Sequence, residues 1–194
     1  GTRLFTSLVA SYASQEDALK RFIQAYLASV ASVDEQVGKI LDAVDNSPLK
    51  DNTIIILTSD HGWGMGEKDY LYKNSLWQES TRVPLIVRAP GIAKQGGVAE
   101  QHVSLIDLYP TLIDYCGLPT KQEIDGTSLL PLLSNVKADW SPATVTIAGE
   151  GNASVCSESW RYIRYSDGTE ELYDLRSDPQ EWSNLVTTMT KEAT

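Results

Sequence analysis

Long apolar runs, basic clusters and cysteines are all scarce in this sequence. No segment of about 20 apolar residues is present, so the sequence predicts no membrane-spanning helix. Sixteen basic residues stand against 26 acidic ones, the formal net charge is -10 and no basic run occurs, which argues against nucleic acid as a partner. Cys116 lies in an apolar segment and is expected to be buried, and the spacing does not show whether it pairs with Cys156.

The 194 residues, of which 42% are hydrophobic, are enough to form one folded core. Apolar residues recur at three- and four-residue steps between positions 23 and 44, which predicts an amphipathic helix that starts near Ser14 and stops at Asn46-Ser47-Pro48. The segment from Thr53 to Leu57 is apolar and β-branched, which is typical of a central parallel strand covered on both faces. We expect the helix to pack on the sheet that contains this strand.

The second half of the sequence shows a change of pattern. A strand is predicted at Leu85–Arg88, and a helix opens near Asp107. Beyond about Asn135 the apolar runs become short and β-rich, and Ser166-Asp167-Gly168-Thr169 is typical of a hairpin turn. The sequence therefore predicts an α/β fold in two parts, with an α/β core in residues 1–135 and a small antiparallel β subdomain in residues 136–194.

The apolar strand leads directly to Asp60 and His61, which are followed by Gly62. Open α/β sheets bind ligands beyond the carboxyl ends of their strands, and carboxylate oxygen and imidazole nitrogen are both metal-binding atoms. Asp60 and His61 are therefore candidate metal ligands. The alternative is an ordinary turn in which Asp60 caps the backbone after the strand. His102, the only other histidine, is predicted to be structural because no second ligand-type residue lies at metal spacing around it.

Residues 58–91, TSDHGWGMGEKDYLYKNSLWQESTRVPLIVRAPG, resemble the C-terminal half of a type I sulfatase of the alkaline phosphatase superfamily. The nearest similarity is to iduronate-sulfatase-like and choline-sulfatase-like enzymes. Further matches follow in the family's order, among them VSLIDLYPTLIDYCGLP from Val103 to Pro119, and then Asp178-Pro179 and Asn184-Leu185. The resemblance implies an alkaline-phosphatase-like mixed sheet flanked by helices, with a small antiparallel sheet at the C-terminus.

The same resemblance implies roles for three residues. In that family the residues that match Asp60 and His61 bind a divalent cation, usually calcium, and the lysine that matches Lys73 contacts the sulfate group. Lys73 is thereby a candidate catalytic and substrate-binding residue, since a cation and an ammonium group supply positive charge where sulfate develops negative charge. Without the resemblance, Lys73 would be interpreted as a solvated surface lysine. Calcium rarely takes a histidine ligand, whereas zinc and manganese accept imidazole readily. A phosphoesterase built on this core would bind zinc or manganese in place of calcium.

The family's nucleophile motif, Cys/Ser-x-Pro/Ala-x-Arg, does not occur in this sequence. Cys116 is followed by Gly-Leu-Pro and Cys156 by Ser-Glu-Ser, with no arginine at the required position. The paired aspartates that complete the family's metal site are not found either. The resemblance implies that these groups, including the formylglycine made from the motif's Cys or Ser, belong to an N-terminal half of the same enzyme. That half and a small sulfated substrate are the expected partners.

The function implied by the resemblance is hydrolysis of sulfate esters, of a sulfated sugar or of a small molecule, and this segment alone is expected to be inactive. Two alternatives stay open. One is a phosphoesterase or phosphodiesterase of the same superfamily with two metal ions, and the other is a non-catalytic metal-binding remnant. Because many relatives are exported, a periplasmic, extracellular or lysosomal location is expected.

Overall fold

The computed structural model describes residues 1–93, 95–120, 123–140 and 143–188. The α-helices are α1 (Thr2–Ala10), α2 (Gln15–Asp45), α3 (Gln78–Thr81), α4 (Leu108–Tyr115) and α5 (Leu130–Ser134), and single 3-10 turns lie at Glu67–Asp69 and Leu105–Asp107. The strands are β1 (Ile55–Thr58), β2 (Gly64–Met65), β3 (Leu71–Tyr72), β4 (Leu85–Arg88), β5 (Thr144–Ile147), β6 (Ala153–Cys156), β7 (Trp160–Arg164) and β8 (Glu170–Asp174). In the described part of the chain, no helix is both long and apolar enough to cross a bilayer.

Helix α2 confirms the predicted start and stop but contradicts the predicted packing. Its start is set by Ser14, whose hydroxyl oxygen accepts a hydrogen bond of 3.1 Å from the backbone N–H of Asp17. The middle of the apolar stripe is exposed, with Leu27 at 58% and Val33 at 60%. The expected packing on the sheet is therefore wrong for most of the helix. Periodicity shows which face a helix can bury, but not which segment covers that face.

The sheet of β1 and β4 also differs from the prediction. The two strands are antiparallel, with Ile56 opposite Val87 and Leu57 opposite Ile86. Leu57 is 37% exposed and Ile86 is 60% exposed. A central parallel strand covered on both faces is therefore not what the described residues form. A continuous apolar run shows that both faces of a strand can be buried, whereas the covering elements have to come from elsewhere.

The other face of this sheet is packed. Its side chains and those of α4 and α5 surround one small apolar cavity, which is lined by Ile54, Ile56, Val87, Ala89, Leu108, Thr111, Leu112, Tyr115, Leu129 and Leu133. Helix α4 is fixed at its start by the buried carboxylate of Asp107, which accepts hydrogen bonds from the N–H groups of Ser104 (2.7 Å) and Thr127 (2.8 Å). The interpretation of Asp107 as a helix-start residue is confirmed.

Strands β5 to β8 form an antiparallel sheet in chain order, as predicted. The turn between β7 and β8 is at the predicted place, with Gly168 at φ 87° and the Asp167 carboxylate accepting the Thr169 N–H at 2.9 Å. Ile163 and Tyr173 of this sheet are buried against Leu76, which belongs to the first part of the chain. The boundary between residues 135 and 136 stays a prediction.

The two cysteines are both free thiols. Cys116 is exposed, so its predicted burial is wrong; it stands at the C-cap of α4, whereas the buried face of that helix carries Thr111 and Ile113. Cys156 is buried in β6, and its Sγ lies 3.3 Å from Nδ1 of His102. Burial raises the pKa of the Cys156 thiol.

Iodoacetamide at neutral pH is expected to alkylate Cys116 in the folded protein and to leave Cys156 unmodified, because the thiolate is the reactive form and burial disfavours it. Peptide mass spectrometry after labelling checks this. The Cys116→Ser variant serves as the control and should take up no label until the chain is denatured. Equal labelling of the two native thiols would contradict the placement of Cys156.

Candidate functional site

The turn after β1 is held close to α3. The Ser59 hydroxyl donates to the carbonyl oxygen of His61 at 2.8 Å, and the N–H of Gly62 donates to the carbonyl oxygen of Ser80 at 2.8 Å. A Cβ atom on Gly62 would lie 2.1 Å from the backbone oxygen of Glu79. Only glycine therefore fits here without a backbone shift, which explains the Asp-His-Gly order in the sequence.

The imidazole of His61 is oriented by a hydrogen bond to the backbone. Its Nδ1 lies 2.8 Å from the carbonyl oxygen of Gly62. A carbonyl oxygen only accepts, so this contact favours the tautomer of the neutral ring in which Nδ1 carries the hydrogen and Nε2 has the lone pair. Metal-binding histidines are usually oriented by such a hydrogen bond from the other ring nitrogen. The chemistry of this ring therefore fits a ligand role for Nε2.

Asp60 presents a second candidate donor atom. Its Oδ1 lies 3.6 Å from Nε2 of His61, and the Asp60 side chain is 85% exposed. Within the described ranges, its carboxylate accepts no backbone hydrogen bond, so the alternative of an ordinary turn cap is not what the geometry shows. One carboxylate oxygen and one imidazole nitrogen at this separation fit a shared divalent cation. The described residues contain no group of three or more His, Cys, Asp or Glu side chains that could hold a metal alone.

Lys73 follows a short β-hairpin that begins just after the Asp60-His61 turn. Strands β2 and β3 pair with Gly64 opposite Tyr72, and Lys73 follows directly. The Tyr72 ring packs edge-on against Trp63, with 5.2 Å between the ring centroids. Lys73 is half-buried, and in the described part of the chain no carboxylate pairs with it. Lys73, Asp60 and His61 line the same open groove.

His102 also lines that groove. Burial lowers the pKa of its imidazole, and the positive charges of Arg161 and Arg82 lower it further. Its carbonyl oxygen accepts a hydrogen bond from Trp140 Nε1 at 2.8 Å, and its ring contacts Cys156. These contacts agree with the predicted structural role.

Sequence reasoning missed two charged residues that the fold buries, of which Arg161 also lines the groove. Arg161 and Glu181 form an ion pair, with side chains only 7% and 0% exposed. Arg161 reads as an ordinary strand residue, and Glu181 lies in a polar segment with no periodicity. The one signal was the position of Glu181 between Asp178-Pro179 and Asn184-Leu185, the two C-terminal pairs that resemble the sulfatase pattern.

Comparison with known families decides how this groove is interpreted. Residues 4–118 match the family model described as Sulfatase, and residues 66–194 match that of the N-sulphoglucosamine sulphohydrolase C-terminal region. The chain belongs to the sulfatase family. Its resemblance to the C-terminal portion of a type I sulfatase is thereby confirmed.

Individual relatives agree with the family match. A sulfatase of Formosa agariphila is 41% identical over 165 residues, which cover 85% of this chain and 32% of that protein. This chain spans about a third of the length of the curated sulfatases it matches.

Solved structures show the same fold. A protein whose structure was solved in complex with its substrate D-glucosamine-2-N,6-O-disulfate superposes with a TM-score of 0.84 and 29% identity, over 92% of this chain and 39% of that one. The phosphonate monoester hydrolase of Agrobacterium radiobacter gives a TM-score of 0.82 and 31% identity, over 95% of this chain and 40% of that one. The predicted alkaline-phosphatase-like α/β fold with its C-terminal antiparallel sheet is confirmed.

Proposed function

We propose that this chain is the C-terminal part of a sulfatase that hydrolyses sulfate esters with the help of one divalent cation, expected to be calcium. The observation that carries the proposal is the placement of three groups in one groove of a sulfatase-family chain. Asp60 Oδ1 and His61 Nε2 lie 3.6 Å apart, and the side chain of Lys73 lines the same groove.

The residues of this chain have separate tasks in the proposed reaction. Asp60 and His61 would hold the cation, with His61 oriented by its hydrogen bond to the Gly62 carbonyl oxygen. When bound, the cation supplies Lewis-acid polarisation of the sulfate oxygens. Lys73 binds a non-bridging sulfate oxygen as a point charge and stabilises the negative charge that grows as the S–O bond breaks. The formylglycine nucleophile comes from the N-terminal part of the enzyme.

This chain also exposes an apolar surface on which an N-terminal part would pack. The stripe of α2 and the open face of β1 and β4 expose large apolar side chains, including Val33 at 60% and Ile86 at 60%. Apolar patches of this kind mark surfaces that are covered by another segment or partner. The length of the relatives, about three times that of this chain, supports an N-terminal part of the same polypeptide as the cover.

The proposed substrate class is a sulfated sugar or a small sulfate ester. Support for a sugar comes from the disulfated glucosamine bound by the solved neighbour. The acidic balance of this chain, -10, means that attraction for an anion has to arise locally, from the cation and Lys73, because association depends on the field at the site.

A direct test compares substrates. The polypeptide that joins this chain to its N-terminal part is expected to release sulfate from an aryl sulfate and from 6-O-sulfated glucosamine, whereas residues 1–194 alone release none. Chelation and re-addition of calcium should remove and restore turnover. No sulfate release from either substrate by the calcium-loaded enzyme would contradict the proposal.

The second candidate is a phosphonate or phosphate ester hydrolase. Its support is the phosphonate monoester hydrolase fold neighbour at 31% identity. Phosphoesterases of this kind would use zinc or manganese, which accept imidazole ligands readily. Preferential turnover of a phenylphosphonate ester over the matched aryl sulfate, with zinc or manganese rather than calcium, would favour this candidate.

A further inference from the structure

Unusual backbone conformations are concentrated around Lys73. Three non-glycine residues that precede it have positive φ angles, Lys68 and Asp69 at 53° and Tyr72 at 144°. Non-glycine residues rarely adopt such angles, and they keep them only where the surrounding structure holds the backbone in place. The backbone conformation of residues 66–78, here called the Lys73 loop, therefore has to be maintained by contacts with other segments of the chain.

A segment of the C-terminal subdomain, residues 178–184, supplies that support and is here called the strap. Its Glu181 side chain is fully buried and sits at the centre of a polar network. Glu181 Oε1 accepts from Arg161 Nε at 2.5 Å, and Glu181 Oε2 accepts from the backbone N–H of Gln78 at 3.0 Å. One carboxylate thus joins the strap, strand β7 and the end of the Lys73 loop.

Arg161 completes the attachment at the same end of the loop. Its Nη1 donates to the carbonyl oxygen of Leu76 and to the hydroxyl of Ser154, both at 3.3 Å. The pair therefore holds the backbone at Leu76 and at Gln78, three and five residues after Lys73.

The strap also holds the loop on the other side of Lys73. Lys68 Nζ donates to the carbonyl oxygen of Gln180 at 3.1 Å. The same ammonium lies 4.8 Å from the ring centroid of Trp182 and 5.3 Å from that of Trp77, which are cation–π distances. The strap therefore contacts the loop both before Lys73, at Lys68, and after it, at Gln78.

We propose that Arg161 and Glu181 are positioning residues for Lys73: they fix the backbone of the Lys73 loop so that the ammonium group meets the sulfate. The inference rests on the proposed function. A buried ion pair is often replaceable by apolar side chains without loss of stability, so stability alone does not require these charges. Two directed contacts to backbone groups do require them, and a misplacement of about 1 Å can cost about 10²-fold in rate.

Glu181→Ala in the complete enzyme should lower kcat/KM for a sulfate ester by about 10- to 100-fold. It leaves Arg161 without its carboxylate and the Gln78 N–H without an acceptor. Hydrogen exchange should become faster across residues 68–78 and stay unchanged in β1 and β4. Glu181→Gln keeps an oxygen acceptor and should lose less activity than Glu181→Ala. The matched control is Arg176→Gln, which removes the ion pair from the exposed Arg176 side chain to Asp174 of β8 and should change neither readout.

The double variant Arg161→Met/Glu181→Leu separates positioning from mere stability, because it removes both buried charges together. We expect the unfolding temperature to recover relative to Glu181→Ala, whereas kcat/KM stays low. Recovery of both together would overturn the positioning role, as would full kcat/KM in Glu181→Ala. If Glu181→Ala does not fold, Glu181→Gln and the double variant decide the question by the same criteria. Should Lys73→Ala retain normal turnover, the proposed role of Lys73 itself fails, which is a different result from normal turnover in the Glu181 variants alone.

Discussion

Lys73→Ala in the complete enzyme is expected to lower kcat/KM for a sulfate ester by about 10²- to 10³-fold, the usual cost of removing one group that stabilises developing negative charge. The side chain lines the groove together with Asp60 and His61. In the described part of the chain it forms no ion pair with a carboxylate, so its positive charge is available to a bound anion. The effect should appear in steady-state kinetics with an aryl sulfate.

The fold should survive this change, because the Lys73 side chain makes no hydrogen bond or ion pair within the described ranges. Unfolding temperature and circular dichroism check this point. The matched control is Lys137→Ala, which removes an exposed lysine on the segment after α5 and should leave kcat/KM unchanged. Near-normal turnover by Lys73→Ala would remove this residue from the site.

Asp60→Ala is expected to abolish stoichiometric metal binding and, with it, sulfatase turnover. Among the residues that the structure describes, the exposed Asp60 carboxylate has one polar contact, to Nε2 of His61, so the change removes the proposed ligand with little loss of structural contact. Metal content of the purified enzyme, measured by inductively coupled plasma mass spectrometry after dialysis, gives the result directly. His61→Ala should behave in the same way, because its Nε2 is the second donor atom.

Asp139→Asn provides the control for the loss of one exposed carboxylate and should retain both metal and activity. If Asp60→Ala keeps a full equivalent of metal, the ligands lie elsewhere in the enzyme. The identity of the bound ion then separates the two candidate functions. Calcium accords with the sulfatase proposal, and zinc or manganese accords with the phosphoesterase alternative.

Local features of the fold were predictable from sequence because they depend on neighbouring residues. The Ser14 cap, the hairpin turn at Gly168 and the strands of the C-terminal sheet all follow from turn chemistry and alternation, and the structure confirms them. The Asp60-His61 turn was found for the same reason, since both donor atoms are adjacent in sequence.

Features that depend on distant partners were not predictable in the same way. The apolar run of β1 predicted a parallel strand, but such a run does not determine the direction of pairing, and the structure shows β1 antiparallel to β4. The apolar stripe of α2 showed which face of the helix can be buried. It did not show that Leu27 stays exposed among the described residues. Neither periodicity nor spacing pointed to Glu181, because its partners Arg161 and Gln78 lie 20 and 103 positions away along the chain.

We propose that this chain works as part of a sulfatase whose nucleophile lies outside these residues. Mass spectrometry of the protein isolated from its source, together with its coding sequence upstream of Gly1, tests this most directly. We predict an upstream Cys/Ser-x-Pro/Ala-x-Arg motif whose Cys or Ser has the lower mass of formylglycine. A source protein that consists of these 194 residues alone, or an upstream segment without that motif, would contradict the claim.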